Sequence, residues 1–450
     1  MKFILLLFWA GLCPIVASYL KAQPKYVQWA AFAMGLIPFV TGTLHLYIAP
    51  IPWPMWPGWP KGLEISALDF LAIAILVGTK SQGRGLKQIW TWLAYLAAVV
   101  VVIPVGQVWL AGFFYAWQIM RVALVCSAAI RLASYPGAPE SLFKGIFAGL
   151  IFQAGFSIAQ AASGAAQAGG EFGSQNLLGL MAHFALFPAF AMLLARKTSF
   201  WSLAAFLAAA LVDVLTASRA TLGLAAIGLT VLSIASIMQS STPRKFGFVA
   251  AGALLIACVA PFAISNIQSR QAINNVESSN SQRAAMIAAA WMIIEDFPLG
   301  TGADQYVVVS NMGGYSARAG VNWNASNRGT AVHNSYLLAW AETGVPGFLT
   351  MLLVVLVPIL TTLRAAFRFK REPESELLLG IGVAMLMAAV HLMYEWLFIM
   401  FVFQYMFAMT SGVAIGIVAR LSSRARQAGR QHSTAAAVPK LPEGALPSAN

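Results

Sequence analysis

The chain has 450 residues, of which 59% are hydrophobic and 10% are charged. A soluble globular protein carries about 25% charged residues, so this composition excludes an ordinary soluble enzyme. The apolar runs are continuous and about 20 residues long, which is typical of membrane-spanning helices and not of the alternating strands of a membrane β-barrel. The formal net charge of +13 is therefore interpreted through the distribution of basic residues between the two sides of the membrane. It does not indicate nucleic-acid binding.

Thirteen apolar runs follow one another along the chain and are candidate spans. They cover 3–20, 27–49, 63–79, 89–105, 108–130, 142–163, 176–195, 199–216, 220–238, 246–265, 346–363, 376–393 and 397–419. We expect an all-α polytopic bundle of about 12–13 spans. About ten of them lie in 1–265 and the others in 346–420. Whether the first run crosses the membrane fully stays open.

The linkers between these runs alternate in charge. Basic residues recur in every second linker, which the positive-inside rule assigns to the cytoplasm. The basic, Ala- and Pro-rich segment 421–450 is expected to be a disordered cytoplasmic tail. The linker 50–61 contains Trp53, Trp56 and Trp59, which we interpret as an aromatic belt at the membrane interface or, alternatively, as a lip that contacts lipid.

One external linker, 266–345, is far longer than the others. A structureless loop of this length is uncommon unless it is functional. Cap and periodicity signals predict two helices in it, near 283–296 and 333–343, the second ended by Gly344 and Pro346. We therefore expect a large periplasmic helical loop on the outer face of the bundle.

Arginines are the candidate anion ligands of this external side. The loop contains four arginines and no lysine, and Arg219 lies between two apolar runs where a positive charge opposes the usual trend. A guanidinium matches a phosphate bidentately, whereas an ammonium is a point charge. The alternatives are that the loop arginines are solvated or bind lipid headgroups, and that Arg219 only reaches the interface.

His333 is the candidate base, because it is the only histidine in the external loop. Helical spacing places it on the first turn of the second helix, on one face with Tyr336, Leu337 and Trp340. A helix N-terminus disfavours an imidazolium, so a neutral ring able to accept a proton is expected. The alternative is a polar cap over a packed helix. Gly300-Thr301-Gly302 forms either a phosphate nest or, as we favour, a plain turn.

No sequence element predicts a metal site or a cofactor. The four aspartates include no Asp-x-Asp pair, so a diphosphate held through a metal ion is hard to build. The stabilisation of negative charge would then fall to the arginines.

Three stretches together resemble the O-antigen ligase and O-antigen polymerase superfamily of bacterial membrane glycosyltransferases, and O-antigen ligases most. The first is Ser218-Arg219, followed by Ala220 where the family often has glycine. The second runs from Arg283 through Trp291 to the Pro-x-Gly-x-Gly element 298–302. The third is the His-Asn-x-x-Leu element 333–337 with the Glu-x-Gly-x-x-Gly element 342–347.

The resemblance implies glycan transfer from an undecaprenyl diphosphate carrier to a hydroxyl acceptor at the periplasmic face of the inner membrane. We expect an inverting reaction without metal or cofactor. Carried over by residue, Arg219 and Arg283 would hold the diphosphate, and His333 would activate or orient the acceptor hydroxyl. Two further arginines, Arg270 and Arg328, are candidate diphosphate ligands. The candidate supporting residues are Asn334, Tyr336, Glu342, Gly300 and Gly302.

The sequence leaves open both the identity of the acceptor and the class of protein. The lipid A–core oligosaccharide is the first choice of acceptor, and a glycan repeat unit (as in a polymerase) or a protein side chain are the others. Membrane lipids surround the protein, and no nucleic acid is expected as a partner. A transporter of lipid-linked sugars would show paired repeats and broken helices, and neither is visible. A non-catalytic scaffold would tolerate replacement of His333.

Overall fold

The computed structural model describes residues 2–80, 89–195, 199–273 and 276–436. Seventeen helices and one two-stranded hairpin lie in these ranges. The first half contains α1 Lys2–Ala22, α2 Lys25–Val40, β1 Tyr47–Pro52, β2 Gly62–Ser66, α3 Ala67–Gly78, α4 Trp90–Val102, α5 Trp109–Leu132, α6 Ala138–Ala162, α7 Gln175–Leu194 and α8 Phe200–Leu215. The second half contains α9 Arg219–Gln239, α10 Pro243–Ile273, α11 Val276–Asp296, α12 Tyr306–Met312, α13 Tyr315–Arg318, α14 Ala325–Arg328, α15 Ser335–Arg368, α16 Ser375–His391 and α17 Phe401–Ala436.

Each of the thirteen predicted apolar runs overlaps one of these helices, so the all-α polytopic fold is confirmed. By length and composition, seven helices of the described chain are suited to cross a membrane: α1, α5, α6, α7, α9, α15 and α17. Four shorter apolar helices, α3, α4, α8 and α16, fall on further predicted runs. The number of spans stays a prediction.

Helix α7 lies at the centre of the bundle. Its residues are buried along nearly the whole length, and it packs against α8 and α16. The first helix, α1, is the opposite case, because large apolar side chains such as Phe3, Ile4 and Leu7 are exposed on it. In a membrane such a surface faces lipid, where exposed apolar groups carry no penalty.

The hairpin was not predicted. The run 27–49 was expected to be one span, but α2 ends at Val40 and the chain then enters β1, which pairs antiparallel with β2. Pro50 and Pro52 lack N–H groups, so they fit the short, irregular edge of such a pair and could not continue a helix. Strands of six and five residues are too short to show a clear period within an apolar stretch.

Both predicted loop helices form, with shifted starts. The first, α11, begins at Val276 instead of near 283 and ends at Asp296 as expected. The second begins at Ser335, because the side chain of Asn334 accepts the N–H groups of Tyr336 and Leu337 and so caps the helix. The expectation that His333 lies on the first helical turn is therefore wrong, since it precedes the cap.

Helix α15 continues past the predicted end of the second loop helix. Gly344 interrupts it with a φ of 64° and a ψ of −170°, a left-handed conformation that favours glycine. Beyond this kink the helix runs on to Arg368. The predicted end at Gly344 is thus a break in direction and not a loop.

The C-terminal segment departs from its prediction. Helix α17 extends to Ala436, so the part 421–436 of the expected disordered tail is helical. This part is rich in Ala, Arg and Gln, which are good helix formers, and it contains no proline. Residues 437–450, also expected to be disordered, lie outside the described residues.

Candidate active site

A buried carboxylate, Glu395, is the centre of the candidate site. It follows α16 and is 4% exposed. Its Oε2 lies 3.1 Å from Nδ1 of His333, and its Oε1 accepts hydrogen bonds from Nη2 of Arg283 at 2.8 Å and Nδ2 of Asn176 at 2.7 Å. One carboxylate thus joins the predicted base, the second predicted arginine and the start of α7.

The backbone of the same segment is fastened to the start of α15. The Oγ of Ser335 donates to the carbonyl oxygen of Glu395 at 2.7 Å, and its N–H donates to the carbonyl oxygens of Leu392 and Glu395. Because Ser335 comes two residues after His333, these bonds hold the histidine and the glutamate in one local frame.

Ser218, the residue before Arg219, is connected to this frame through Asn176. The Oδ1 of Asn176 accepts a hydrogen bond from Oγ of Ser218 at 3.2 Å. Ser218 is also the N-cap of α9, where its Oγ accepts the N–H of Thr221. Arg219 is the first residue of that helix and is exposed, with no hydrogen bond or ion pair to the described part of the chain. A helix N-terminus carries partial positive charge, which adds to the attraction of this guanidinium for an anion.

The electrostatics of Glu395 favour its ionised form. Burial alone would raise the pKa of Glu395, but the hydrogen bond and charge of His333 and the charge of Arg283 outweigh burial and hold the pKa below its usual range. An ionised carboxylate only accepts hydrogen bonds, so the proton of this contact sits on Nδ1 of His333. When the ring is neutral, its Nε2 atom is the acceptor.

His333 and Arg283 are both partly open to the outside. Their side chains are 21% and 38% exposed, and Nε2 of His333 has no hydrogen-bond partner among the described residues. A ligand can therefore reach Nε2 and the unused N–H groups of Arg283 while Glu395 stays in place.

The other predicted diphosphate ligands are placed differently. Arg328 donates from Nε and Nη2 to the carbonyl oxygen of Val321, at 3.1 and 2.7 Å, and stacks on Trp323. These contacts organise the loop. Arg270 lies in α10, where the structure describes its backbone but not its side chain.

The predicted supporting residues act on the fold around the site. Asn334 caps α15, and the hydroxyl of Tyr336 donates to the carbonyl oxygen of Ala389 at 2.8 Å. Glu342 is buried and accepts the N–H groups of Asp304 and Tyr306, both at 3.0 Å.

The glycines of the 300–302 turn dock on the kink of α15. The N–H groups of Gly300, Thr301 and Gly302 donate to carbonyl oxygens of Phe297, Ala341 and Glu342 respectively. Their donors are thus engaged by backbone, which fits the plain turn and not the phosphate nest. A Cβ added to Gly300 would lie 2.6 Å from the nitrogen of Gly344, so the two backbones touch here.

The Trp-rich hairpin loop packs onto the external loop. Nε1 of Trp56 donates to Oδ2 of Asp304 at 2.6 Å, and the N–H of Trp59 donates to Oδ1 at 2.7 Å. Trp56 is buried, so for this residue both the aromatic belt and the lipid-contacting lip are wrong. Burial and the negative charge of Glu342 raise the pKa of Asp304 well above its usual range.

Sequence reasoning missed Glu395 and Asn176. Glu395 stands alone in a three-residue linker between two apolar runs, and no motif spacing relates it to His333, which is 62 positions earlier. The one available signal was an ionisable residue at the edge of a predicted span, which is a functional candidate by default. In the described ranges, no group of three or more His, Cys, Asp or Glu is arranged to hold a metal ion.

Comparison with known proteins identifies the region that carries these residues. No curated protein matches the chain. A family model described as O-Antigen ligase matches residues 203–352, a third of the chain that includes Arg219, Arg283 and His333. Asn176 and Glu395 lie outside the matched region. Residues 203–352 are therefore similar to an O-antigen ligase domain, which confirms the resemblance of this membrane protein to the O-antigen ligase superfamily.

Proposed function

We propose that the protein transfers a glycan from an undecaprenyl diphosphate carrier to a hydroxyl acceptor at the periplasmic face of the inner membrane. The observation that carries this proposal is the Glu395 network, which joins His333, whose Nε2 is free of partners among the described residues, to Arg283 and, through Asn176, to Ser218 beside Arg219. A base and an anion site side by side are what glycosyl transfer from a diphosphate requires.

In this proposal the arginines bind the donor. The guanidinium groups of Arg219 and Arg283 approach the diphosphate oxygens, and the N-terminus of α9 adds partial positive charge. As the bond between the anomeric carbon and the diphosphate oxygen breaks, the leaving group takes the electron pair. The same two cations then stabilise the growing charge, and no metal ion or cofactor is needed.

His333 acts on the acceptor. Nε2 takes the proton of the acceptor hydroxyl while that oxygen forms the new bond to the anomeric carbon. Glu395 accepts from Nδ1 and stabilises the imidazolium that results, as in other histidine–carboxylate pairs. A single displacement of this kind inverts the configuration at the anomeric carbon.

The lipid A–core oligosaccharide is the proposed acceptor, and a glycan repeat unit or a protein hydroxyl are the alternatives within the superfamily. The test incubates purified protein in nanodiscs with an undecaprenyl diphosphate-linked glycan and each acceptor in turn. We expect one acceptor to become glycosylated with release of undecaprenyl diphosphate. Movement of the lipid-linked glycan across proteoliposome membranes, without any transfer, would instead support the transporter alternative.

Metal independence is tested in the same assay. We expect the rate with EDTA to equal the rate without it, because Arg219 and Arg283 supply the charge that a metal would supply. Loss of activity in EDTA that Mg²⁺ or Mn²⁺ restores would overturn this part of the proposal.

The membrane side of the site is tested by labelling single cysteines from outside the inner membrane. Met312→Cys, an exposed position in the external loop, should be labelled in spheroplasts. Lys370→Cys, in the basic linker after α15, should be labelled only after the membrane is permeabilised. The reverse pattern contradicts a periplasmic site.

A further inference from the structure

A small cavity lies between the hairpin loop and the external loop, beside the Glu395 network. Its volume is about 100 Å³, and its lining includes two tryptophans, two carboxylates and a threonine: Trp59, Trp396, Asp304, Glu342 and Thr330. The functional roles proposed above use none of these side chains for contact with substrate.

We propose that this cavity binds one sugar residue of the acceptor, so that the acceptor is a carbohydrate and not a protein side chain. The inference rests on the proposed function, because it places the sugar beside the base of that reaction. It goes further by naming the residues that recognise the acceptor.

The aromatic part of the lining suits a sugar ring. The rings of Trp59 and Trp396 are 4.5 Å apart at an interplanar angle of 70°, and Trp59 is 37% exposed. Aromatic rings give a ligand large, rigid apolar contact area, and a sugar presents an apolar C–H face for such contact. Because the two tryptophan rings meet edge to face, they form a corner that can hold a single sugar ring.

The polar part of the lining offers partners for hydroxyl groups. Each oxygen of Asp304 accepts one bond from the protein, while a carboxylate has about four lone-pair positions. The Oγ1 of Thr330 is buried and has no hydrogen-bond partner among the described residues. A buried unsatisfied hydroxyl is costly, and a ligand hydroxyl in the cavity would satisfy it.

The position of the cavity relative to the base follows from chain connectivity. Ala331 lines the cavity and precedes His333 by two residues, and Trp396 directly follows Glu395. Consecutive Cα atoms are about 3.8 Å apart, so Ala331 is within about 8 Å of His333. A sugar held against Trp396 and Thr330 therefore lies close to the segment that carries His333.

A sugar explains the lining better than a cation. Two carboxylates alone would suit a divalent cation, but the oxygens of Asp304 already accept N–H groups, and the tryptophans offer no ligand atoms. Aromatic walls with a few placed polar groups are typical of sites for organic ligands.

The first experiment measures sugar binding at equilibrium. Full-length protein in nanodiscs is screened by saturation-transfer NMR with glucose, galactose, mannose, rhamnose and N-acetylglucosamine. We expect a signal from at least one sugar, reduced about tenfold in Trp59→Ala and in Thr330→Val, since loss of one aromatic or hydrogen-bonding contact to a ligand has an effect on this scale. The backbone bond from Trp59 to Asp304 survives the Trp59→Ala change, and Trp59→Phe should keep most of the signal.

The matched control is Trp323→Ala, at an exposed tryptophan of the external loop outside the cavity, which should bind sugar as the wild type does. Equal loss in Trp323→Ala and Trp59→Ala overturns the inference. So does the absence of a signal from every sugar, or a response to Ca²⁺ alone.

The second experiment separates this inference from the proposed function. His333→Ala should lower transfer about a hundredfold or more and leave sugar binding unchanged. In transfer assays Trp59→Ala should raise the acceptor KM about tenfold and leave the donor KM within twofold. If the wild type transfers glycan but Trp59→Ala changes neither sugar binding nor the acceptor KM, the inference fails and the proposed function stands. If sugars bind but no acceptor is glycosylated, the proposed function fails.

Discussion

Two groups of buried ionisable side chains, one around Glu395 and one formed by His183, Asp213 and His391, differ in how their polar atoms are satisfied. Around Glu395, each carboxylate oxygen has a partner, and the partners come from α7, α11 and the segment before α15. In the second group Asp213 and His391 are equally buried, but none of their side-chain polar atoms has a hydrogen bond within the described residues. His183 lies 3.8 Å from Asp213, too far for a hydrogen bond.

The difference shows that a buried ionisable side chain is not necessarily held in a fixed direction. Hydrogen bonds fix the side chains of the Glu395 group in direction, which a site for proton transfer needs. Packing and the 3.8 Å approach of His183 to Asp213 hold the second group in place without a hydrogen bond among the described residues, and its polar atoms reduce stability where they stay unsatisfied. Substitutions in the first group should therefore cost activity, and substitutions in the second should change mainly stability.

The largest effect is expected from His333→Ala. If His333 is the base, transfer falls about a hundredfold or more, the usual span for general acid–base catalysis. Stability should change by about 1 kcal/mol or less, because the side chain is partly exposed and Glu395 keeps two other partners. The measurement is the initial rate of transfer, with thermal unfolding as the check on folding.

His333→Gln distinguishes a base from an orienting group. A glutamine amide donates and accepts hydrogen bonds but does not take a proton usefully. Turnover near that of the wild type in this variant contradicts the role of His333 as a base and leaves only orientation.

Arg219→Lys and Arg283→Lys should each lower the transfer rate by about ten- to a hundredfold. An ammonium cannot replace a bidentate fork, and a charge-assisted contact made in the transition state contributes about 1.5–3 kcal/mol. Arg318→Lys is the matched control, because Arg318 stacks on Tyr315 in the same loop. The same assay tests Arg270→Lys and Arg328→Lys, the remaining candidates. Full activity in both the Arg219 and Arg283 variants would remove the diphosphate site.

Glu395→Gln should lower turnover by about tenfold, because Glu395 positions His333 and Arg283 without touching substrate. The sign of the pH effect on stability follows from its lowered pKa. The ionised group stabilises the fold at neutral pH, and this contribution is lost as the pH falls through the folded-state pKa, below the ordinary value of about 4.3. The unfolding temperatures of wild type and variant should thus differ at pH 7 and converge in acid. A gap that persists at low pH means that Glu395 contributes by packing alone.

The smallest effect is expected from Asp213→Leu. Removing a buried carboxylate that has no hydrogen bond within the described residues should leave stability unchanged or raise it by about 1–3 kcal/mol, and the transfer rate should stay within about threefold. Asn176→Leu is the matched variant in the Glu395 network and should lose about tenfold in rate. Equal losses in the two variants would erase the distinction between the groups.

The fold was largely predictable because apolar runs determine where helices form in a membrane protein. The hairpin was not, since its strands are short and its pairing depends on register between distant backbone groups. The start of α15 was misplaced because the sequence allows both His333 and Asn334 near the cap. Only the observed bonds to Asn334 select between them.

The site was predictable only as far as its motifs reach. Arg219, Arg283 and His333 follow from the resemblance, and they lie in the region that the family model matches. Glu395 and Asn176 join them only through tertiary packing, since each belongs to a different helix end and has no fixed spacing to the others. The cavity beside them depends on the unpredicted hairpin, which brings Trp59 against Trp396.

The contact between Gly300 and Gly344 determines how closely the segment that carries Arg283 approaches the segment that carries His333. The turn at Gly300 follows the helix that carries Arg283, and Gly344 ends the stretch that begins beside His333. A methyl group on either glycine would have to sit within 3 Å of the opposite backbone, so the two segments would separate by a sizeable fraction of an ångström. A displacement of about 1 Å can cost roughly a hundredfold in rate. Because neither glycine has a side chain, the two backbones can touch. This contact fixes the distance between the segment that carries Arg283 and the segment that carries His333.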